Sequence, residues 1–219
     1  MNYALPLAIA ATLLLTACTT NPYTGEQQVS KGLLGAGAGA ALGAATGAII
    51  GQNSKVKTRN AVLIGAGIGA LAGGGIGVYM DNQEAKLRDR LRNSGVSVTR
   101  VGDNIVLNMP SNITFDSGEA DIKPQFFNTL NSVALVFQEF DRTLIDVVGH
   151  TDADGSDESN EDLSRRRAVA VARYMTAQQL NPNRFSVEGR GESEPIASNA
   201  STSGKAQNRR VEIVIAPLT

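Results

Sequence analysis

The distribution of apolar and polar residues changes four times along the chain. Residues 4 to 16, ALPLAIAATLLLT, form an unbroken apolar run. It has the length of a secretory signal core and is too short to cross a bilayer as a helix. Two uncharged stretches follow, residues 33 to 51 (LLGAGAGAALGAATGAIIG) and 61 to 80 (AVLIGAGIGALAGGGIGVYM), separated by the polar QNSKVKTRN. Residues 81 to 94, DNQEAKLRDRLRNS, are strongly polar and read as a short charged helix capped by Asp81 and closed by Gly95. Such a helix would lift whatever follows about 20 Å from a membrane surface.

From residue 96 onward the pattern is that of a folded domain. VSVTRV and NIVLNM alternate with period two on either side of Gly102-Asp103, which predicts a hairpin with a two-residue turn. Pro124 opens a helix that places Phe127, Leu130, Ala134 and Phe137 on one face. Residues 143 to 149, TLIDVVG, predict a buried strand. A helix from about Asp157 to Gln179 follows, with Leu163, Val171 and Tyr174 turned inward. Residues 184 to 190 give another strand, a short helix surrounds Lys205, and RVEIVIAP (210 to 217) gives the last strand. Strands alternating with helices predict an α/β (α+β) layered domain with a mixed β-sheet.

The two uncharged stretches have a finer period. Glycines stand at 35, 39, 43, 47 and 51, and again at 65, 69, 73 and 77. On a helix a four-residue step advances about 400°, so each glycine lies about 40° from the last and the set forms a smooth, slowly winding stripe. Such stripes allow two helix backbones to approach closely. Each segment has about the length needed to cross a hydrocarbon core. A glycine-zipper helical hairpin with two membrane helices is therefore expected, free to self-associate or to meet other envelope proteins. A peripheral packed hairpin and a flexible tether are the alternatives.

Composition narrows the class. The 219 residues leave room for one ordinary domain and something smaller, and most of the 23 glycines precede residue 80. A net charge of −1 provides no basic field for nucleic acid. The single cysteine, Cys18, rules out an internal disulfide. Nothing in the pattern calls for a cofactor.

Cys18 ends the sequence Leu15-Thr16-Ala17-Cys18, which resembles the lipobox of bacterial lipoproteins. The resemblance implies cleavage before Cys18 and acylation of it, an anchor of several chains that holds stably to lipid. Further along, FDSGEADIKP (115 to 124), GHTDADGSDESNEDLSRRRA (149 to 168), GRGESEPIASN (189 to 199) and KAQNRRVEI (205 to 213) resemble the OmpA C-terminal domain in order and spacing. With the lipobox and glycine hairpin ahead of it, the whole resembles YiaD-type lipoproteins. The resulting division is a signal peptide at 1–17, a lipidated spacer at 18–32, the zipper hairpin at 33–80, a linker helix at 81–95 and the OmpA-like domain at 96–219.

The resemblance implies non-covalent binding of the diaminopimelate residue of the peptidoglycan stem peptide. Its far end carries an ammonium and a carboxylate on one carbon. Asp152 is the implied partner of the ammonium and Arg167 that of the carboxylate, for which its planar fork is suited. Asn160, Leu163 and Arg167 share a helical face, which puts Asn160 beside the pair and Leu163 against the ligand's methylene chain. The resemblance also puts Thr151, Phe115 and Asp116 beside the ligand, unless the last two only order their turn; of Arg209 and Arg210 it places one near the ligand, for which Arg209 is the candidate, and one in support of the fold. Arg165 and Arg166 read as a solvated face. A structural Asp152–Arg167 salt bridge is the plain alternative.

Three other readings compete: an envelope assembly or scaffold protein acting mainly through the glycine-zipper hairpin, which coexists with wall binding, a metal site, and a peptidoglycan hydrolase. A calcium loop in DADGSDESNED fails on spacing, because Gly155 falls at position 4 from Asp152 instead of position 6. A wall hydrolase would have to work with carboxylates alone: His150 is the only histidine, there is no G-x-S-x-G elbow, and the sole cysteine belongs to the lipobox. Thr19, in place of the Asp that retains enteric lipoproteins at the inner membrane, points to the outer membrane. Lys55, Lys57 and Arg59 in the hairpin loop point instead to an inner-membrane, positive-inside arrangement.

Overall fold

The structure, a computed structural model, describes residues 18–20, 27–29, 63, 69, 71 and 74–219. The zipper segment 33–51 and most of 61–73 lie outside the described residues. Near the start, strand β1 (Cys18–Thr20) pairs antiparallel with β2 (Gln27–Val29), a small ribbon that the spacer's sequence did not suggest.

The domain is a five-stranded sheet with helices packed on one face. Strands β3 (Ser97–Val101), β4 (Asn104–Pro110), β5 (Thr143–His150), β6 (Phe185–Gly189) and β7 (Arg210–Pro217) lie in the order β3-β4-β7-β5-β6. Only β5 and β6 run parallel; the other neighbours are antiparallel. The helices are α1 (Gly75–Arg90), α2 (Ser111–Thr114), α3 (Phe127–Glu139), α4 (Asp157–Ala177) and α5 (Thr202–Asn208). The mixed α/β expectation holds, and the strands fall where the alternation placed them. Val101 pairs with Asn104 across Gly102 (φ 58) and Asp103, a two-residue turn with positive φ at its first central position.

The core lies between sheet and helices. Ile105, Leu107, Met109, Ile145, Val147, Val211, Ile213 and Ile215 supply its strand side, all fully or almost fully buried. Leu130, Val133, Ala134 and Phe137 of α3 and Ala168, Val171 and Met175 of α4 supply the helical side. Ser156 caps α4 by accepting from Ser159 N, and Asp157 and Glu158 complement the positive helix end. Arg184, 2% exposed, closes the C-terminal end of α3: it donates to Phe137 O (2.7 Å), Phe140 O and Thr143 O (both 2.8 Å). Burial lowers its pKa to about 10, so it stays charged at neutral pH.

Two expectations require correction. The charged helix starts at Gly75, so Asp81 lies inside it and is not its cap. Nor does it stand off from the domain. Met80, Leu87 and Leu91 are buried in the common core, Tyr79 meets Phe140 edge to face at 5.2 Å, and Lys86 pairs with Glu139. The i, i+3, i+4, i+7 spacing of Met80, Gln83, Glu84 and Leu87 gives α1 one buried stripe.

This also corrects the second expected membrane crossing, which was to end at Met80. Gly75–Met80 belongs to α1, and Leu63 packs on Leu144 and Leu218. Leu71 N donates to Leu218 O at 2.7 Å. These residues rest on protein, not lipid. Among the described residues no helix is long and apolar enough to cross a membrane. The incoming chain thus meets the domain at the pole where β5 begins and β7 ends.

Candidate functional site

The opposite pole, where β5 ends, carries a cleft of about 480 Å³. Its walls come from α2 and the loop after it, the segment following β5, the first half of α4, and Arg209 between α5 and β7. Two paired glycines allow α4 to sit low enough to form one wall. Gly149 and Gly189 are register partners in β5 and β6, and a Cβ on either would run into Ser164 of α4. Ser164 Oγ in turn accepts from Gly191 N at 3.0 Å.

All eight residues expected around the ligand line this cleft: Phe115, Asp116, Thr151, Asp152, Asn160, Leu163, Arg167 and Arg209. They come from four separate parts of the chain. Their internal pairing differs from expectation. Asp152, 6% exposed, is held by Arg209, whose Nη1 donates to Asp152 Oδ2 at 2.5 Å; Asp152 Oδ1 accepts from Asp154 N at 3.3 Å. A carboxylate has about four lone-pair positions, so half of this one's capacity remains.

Arg167 is 3% exposed and is fixed by the opposite wall. Nε donates to Glu119 O at 2.8 Å, Nη2 to Asp116 O at 3.3 Å and Nη1 to Ser111 Oγ at 3.5 Å. The guanidinium carbon stands 5.2 Å from the centroid of the Phe115 ring, a cation–π contact. Burial lowers its pKa, with Arg209 and Arg166 adding to the effect and Asp152 opposing it. Three of five N–H donors are committed, two remain, and among the described residues no carboxylate lies within 4.0 Å of it. The salt bridge drawn between Asp152 and Arg167 as the plain alternative is therefore not the arrangement seen.

The other residues divide by task. Asn160 donates to Glu192 at 2.6 Å, so its amide nitrogen is taken up with the neighbouring loop. The Thr151 hydroxyl is buried without a hydrogen-bond partner among the described residues. Asp116 offers its carbonyl to Arg167 while its carboxylate, largely in solvent, faces Lys123 at 3.1 Å. Within Asn208-Arg209-Arg210 only the middle residue enters the cleft. Asn208 ties down the 196–199 loop through Ile196 N, Ala197 N, Ala197 O and Asn199. Arg210 is buried against Glu212 and the carbonyls of Asn208 and Glu194. Arg165 and Arg166 are exposed, as expected.

Ser111, Asn112, Lys123 and Asp154 also line the cleft and were not singled out from sequence. Lys123 and Asp154 lie inside motifs already quoted. Ser111 had no signal, since it becomes a wall only when α2 folds back against Arg167. His150 lies outside the lining. It is 1% exposed, and burial, reinforced by Arg210, lowers its pKa to about 4, so its ring is neutral.

A one-sided mixed sheet bearing a charged cleft at the C-terminal end of β5 defines the class of domain. The family described as OmpA family matches residues 114–209, and the YMGG-like Gly-zipper matches residues 1–81. The chain is 49% identical over 216 residues to "Probable lipoprotein YiaD" of Escherichia coli (strain K12), covering 99% of this chain and 98% of that protein. It belongs to this family of OmpA-domain, glycine-zipper lipoproteins. It is also 38% identical over 103 residues to the peptidoglycan-binding protein ArfA of Mycobacterium bovis, spanning 47% of this chain and 32% of that one. Among solved structures, the cell wall anchor of the T6SS from Pseudomonas aeruginosa aligns with a TM-score of 0.56 and 30% identity, covering 63% of this chain and 96% of that one.

Proposed function

We propose that this chain is a non-catalytic lipoprotein that tethers a bacterial membrane to the cell wall by gripping the diaminopimelate residue of peptidoglycan. One observation carries the reading. An anion and a cation, Asp152 and Arg167, share a cleft without pairing with each other, and each keeps hydrogen-bonding capacity in reserve. A group bearing ammonium and carboxylate on one carbon uses both. Arg167 is held rigid by backbone carbonyls and the Phe115 ring, so little order is lost on binding. The names of the relatives, a peptidoglycan-binding protein and a cell wall anchor, support the same ligand class.

The non-enzymatic reading is supported by the relatives, named as a lipoprotein, a peptidoglycan-binding protein and a cell wall anchor, and the one histidine is buried and neutral outside the cleft. Acylation of Cys18 supplies the membrane end, in the cell envelope, with Thr19 favouring the outer membrane. The experiment is co-sedimentation of the purified protein with intact sacculi. The protein should pellet with them, be released by diaminopimelate-containing stem peptides, and leave no soluble muropeptides behind. Retention in the supernatant, or liberation of muropeptides, would overturn it.

A further inference from the structure

The contact between Arg209 and Asp152 assigns a role that wall binding alone does not require. We propose that Arg209 is a specificity gate: in the empty cleft its guanidinium occupies the place of the ligand's ammonium on Asp152. It thereby excludes amines that lack an adjacent carboxylate. This rests on the reading of the cleft given above and concerns how that cleft chooses.

The argument is one of exchange. Asp152 has one charge, and Arg209 already satisfies it through a direct bond of 2.5 Å at a residue almost sealed from solvent. A ligand ending in a bare ammonium, as a lysine side chain does, must either displace Arg209 from Asp152 or share the one carboxylate with it, which sets two cations side by side. It gains nothing at Arg167, and Arg209 loses or shares its partner. A ligand ending in diaminopimelate makes the same exchange but also brings a carboxylate. Arg167, with no carboxylate of its own among the described residues, takes it. The released Arg209 remains beside that new negative charge. Its side chain is 36% exposed and lines the open cleft, so the guanidinium is not sealed in place as Arg167 is. Arg209 thus opposes one ligand class and is neutral or favourable to the other.

The test uses the full-length protein in detergent and two stem-peptide fragments, one ending in diaminopimelate and one in lysine. Wild type should prefer the first by tenfold or more. Arg209→Gln, which keeps polarity and removes the charge, should raise affinity for the lysine fragment about tenfold, because a charge-assisted hydrogen bond no longer has to be displaced. Affinity for the diaminopimelate fragment should change less, so the preference narrows at least fivefold. Arg209→Lys should restore it. The Arg209 substitutions leave intact its main-chain bond from Ser111 N, and a melting curve close to wild type shows that the fold persists. Unchanged or weakened lysine-fragment binding in Arg209→Gln overturns the gate while leaving wall binding standing. A wild-type protein that binds neither fragment overturns the wall-binding reading and the gate with it.

Discussion

At the level of single residues, the two charges of the cleft predict different variant phenotypes. Asp152→Asn keeps shape and removes the anion, so binding of diaminopimelate fragments should fall at least tenfold with little change in melting. Arg167→Ala should lose binding and also melt early, by about 1 to 3 kcal/mol, because Glu119 O and Asp116 O lose their donor. Titration with melting curves on the same samples checks both. His150 provides a pH signature away from the site. Its pKa is near 6.5 unfolded and lowered to about 4 in the fold. Below pH 6.5 the unfolded chain takes up a proton that the folded chain refuses, so stability drops as pH falls from about 6.5 toward 4. The loss is on the order of 3 kcal/mol, and His150→Leu should flatten that segment of a stability–pH curve. The cleft's membership was readable in the sequence, since each of the eight residues sits within or beside a quoted motif. Its wiring was not. The Arg209–Asp152 bond joins residues far apart in the chain, and which of Arg167 and Arg209 faces the carboxylate depends on how the Glu119 loop folds back. Arg184 was invisible for a similar reason: a lone arginine in NPNRF has no period, and only the end of α3 reveals what it closes.

Among elements, α1 shows where pattern reading stops short. The shift from glycine-rich to charged sequence at Asp81 is real, yet the helix ignores it. Packing continues back through Tyr79 and Ile76 because these residues, though embedded in an apolar run, face the domain. Strands β4 and β7 were legible because one face of each is buried and period two survives in the sequence, and β5 because its apolar run is buried on both faces. If α1 is part of the core, Leu87→Ala should destabilise the whole domain by about 2 to 5 kcal/mol in denaturant unfolding, as truncation of a buried leucine does. A free-standing linker would show almost no change. The same helix holds a polar liability: Gln83 is 0% exposed, and both of its amide atoms lack a hydrogen-bond partner among the described residues. Gln83→Met, similar in length and apolar, should therefore raise the unfolding midpoint, with a gain of about 1 to 3 kcal/mol.

Across the whole molecule, attachment at both ends is what the proposed function demands. Cys18→Ser should leave an unprocessed precursor that does not incorporate labelled palmitate; normal labelling would remove the lipid end from the account. The described part of the second glycine segment, from Leu63 onward, lies at the far pole from the cleft. A molecule held by lipid at one pole and by the wall at the other is a cable, and β5 is its axis. The eight residues of β5 run from Thr143, near the Leu71–Leu218 contact, to His150, next to Asp152, a span of about 26 Å. Its bonds to β7 and β6 lie across the direction of pull, so tension meets them in shear, many at a time. A tug across the sheet would instead open its edge strands one bond after another. Single-molecule stretching should accordingly find a higher rupture force for handles at residues 143 and 210, at opposite poles on the paired strands β5 and β7, than for handles at 99 and 188, on the two edge strands.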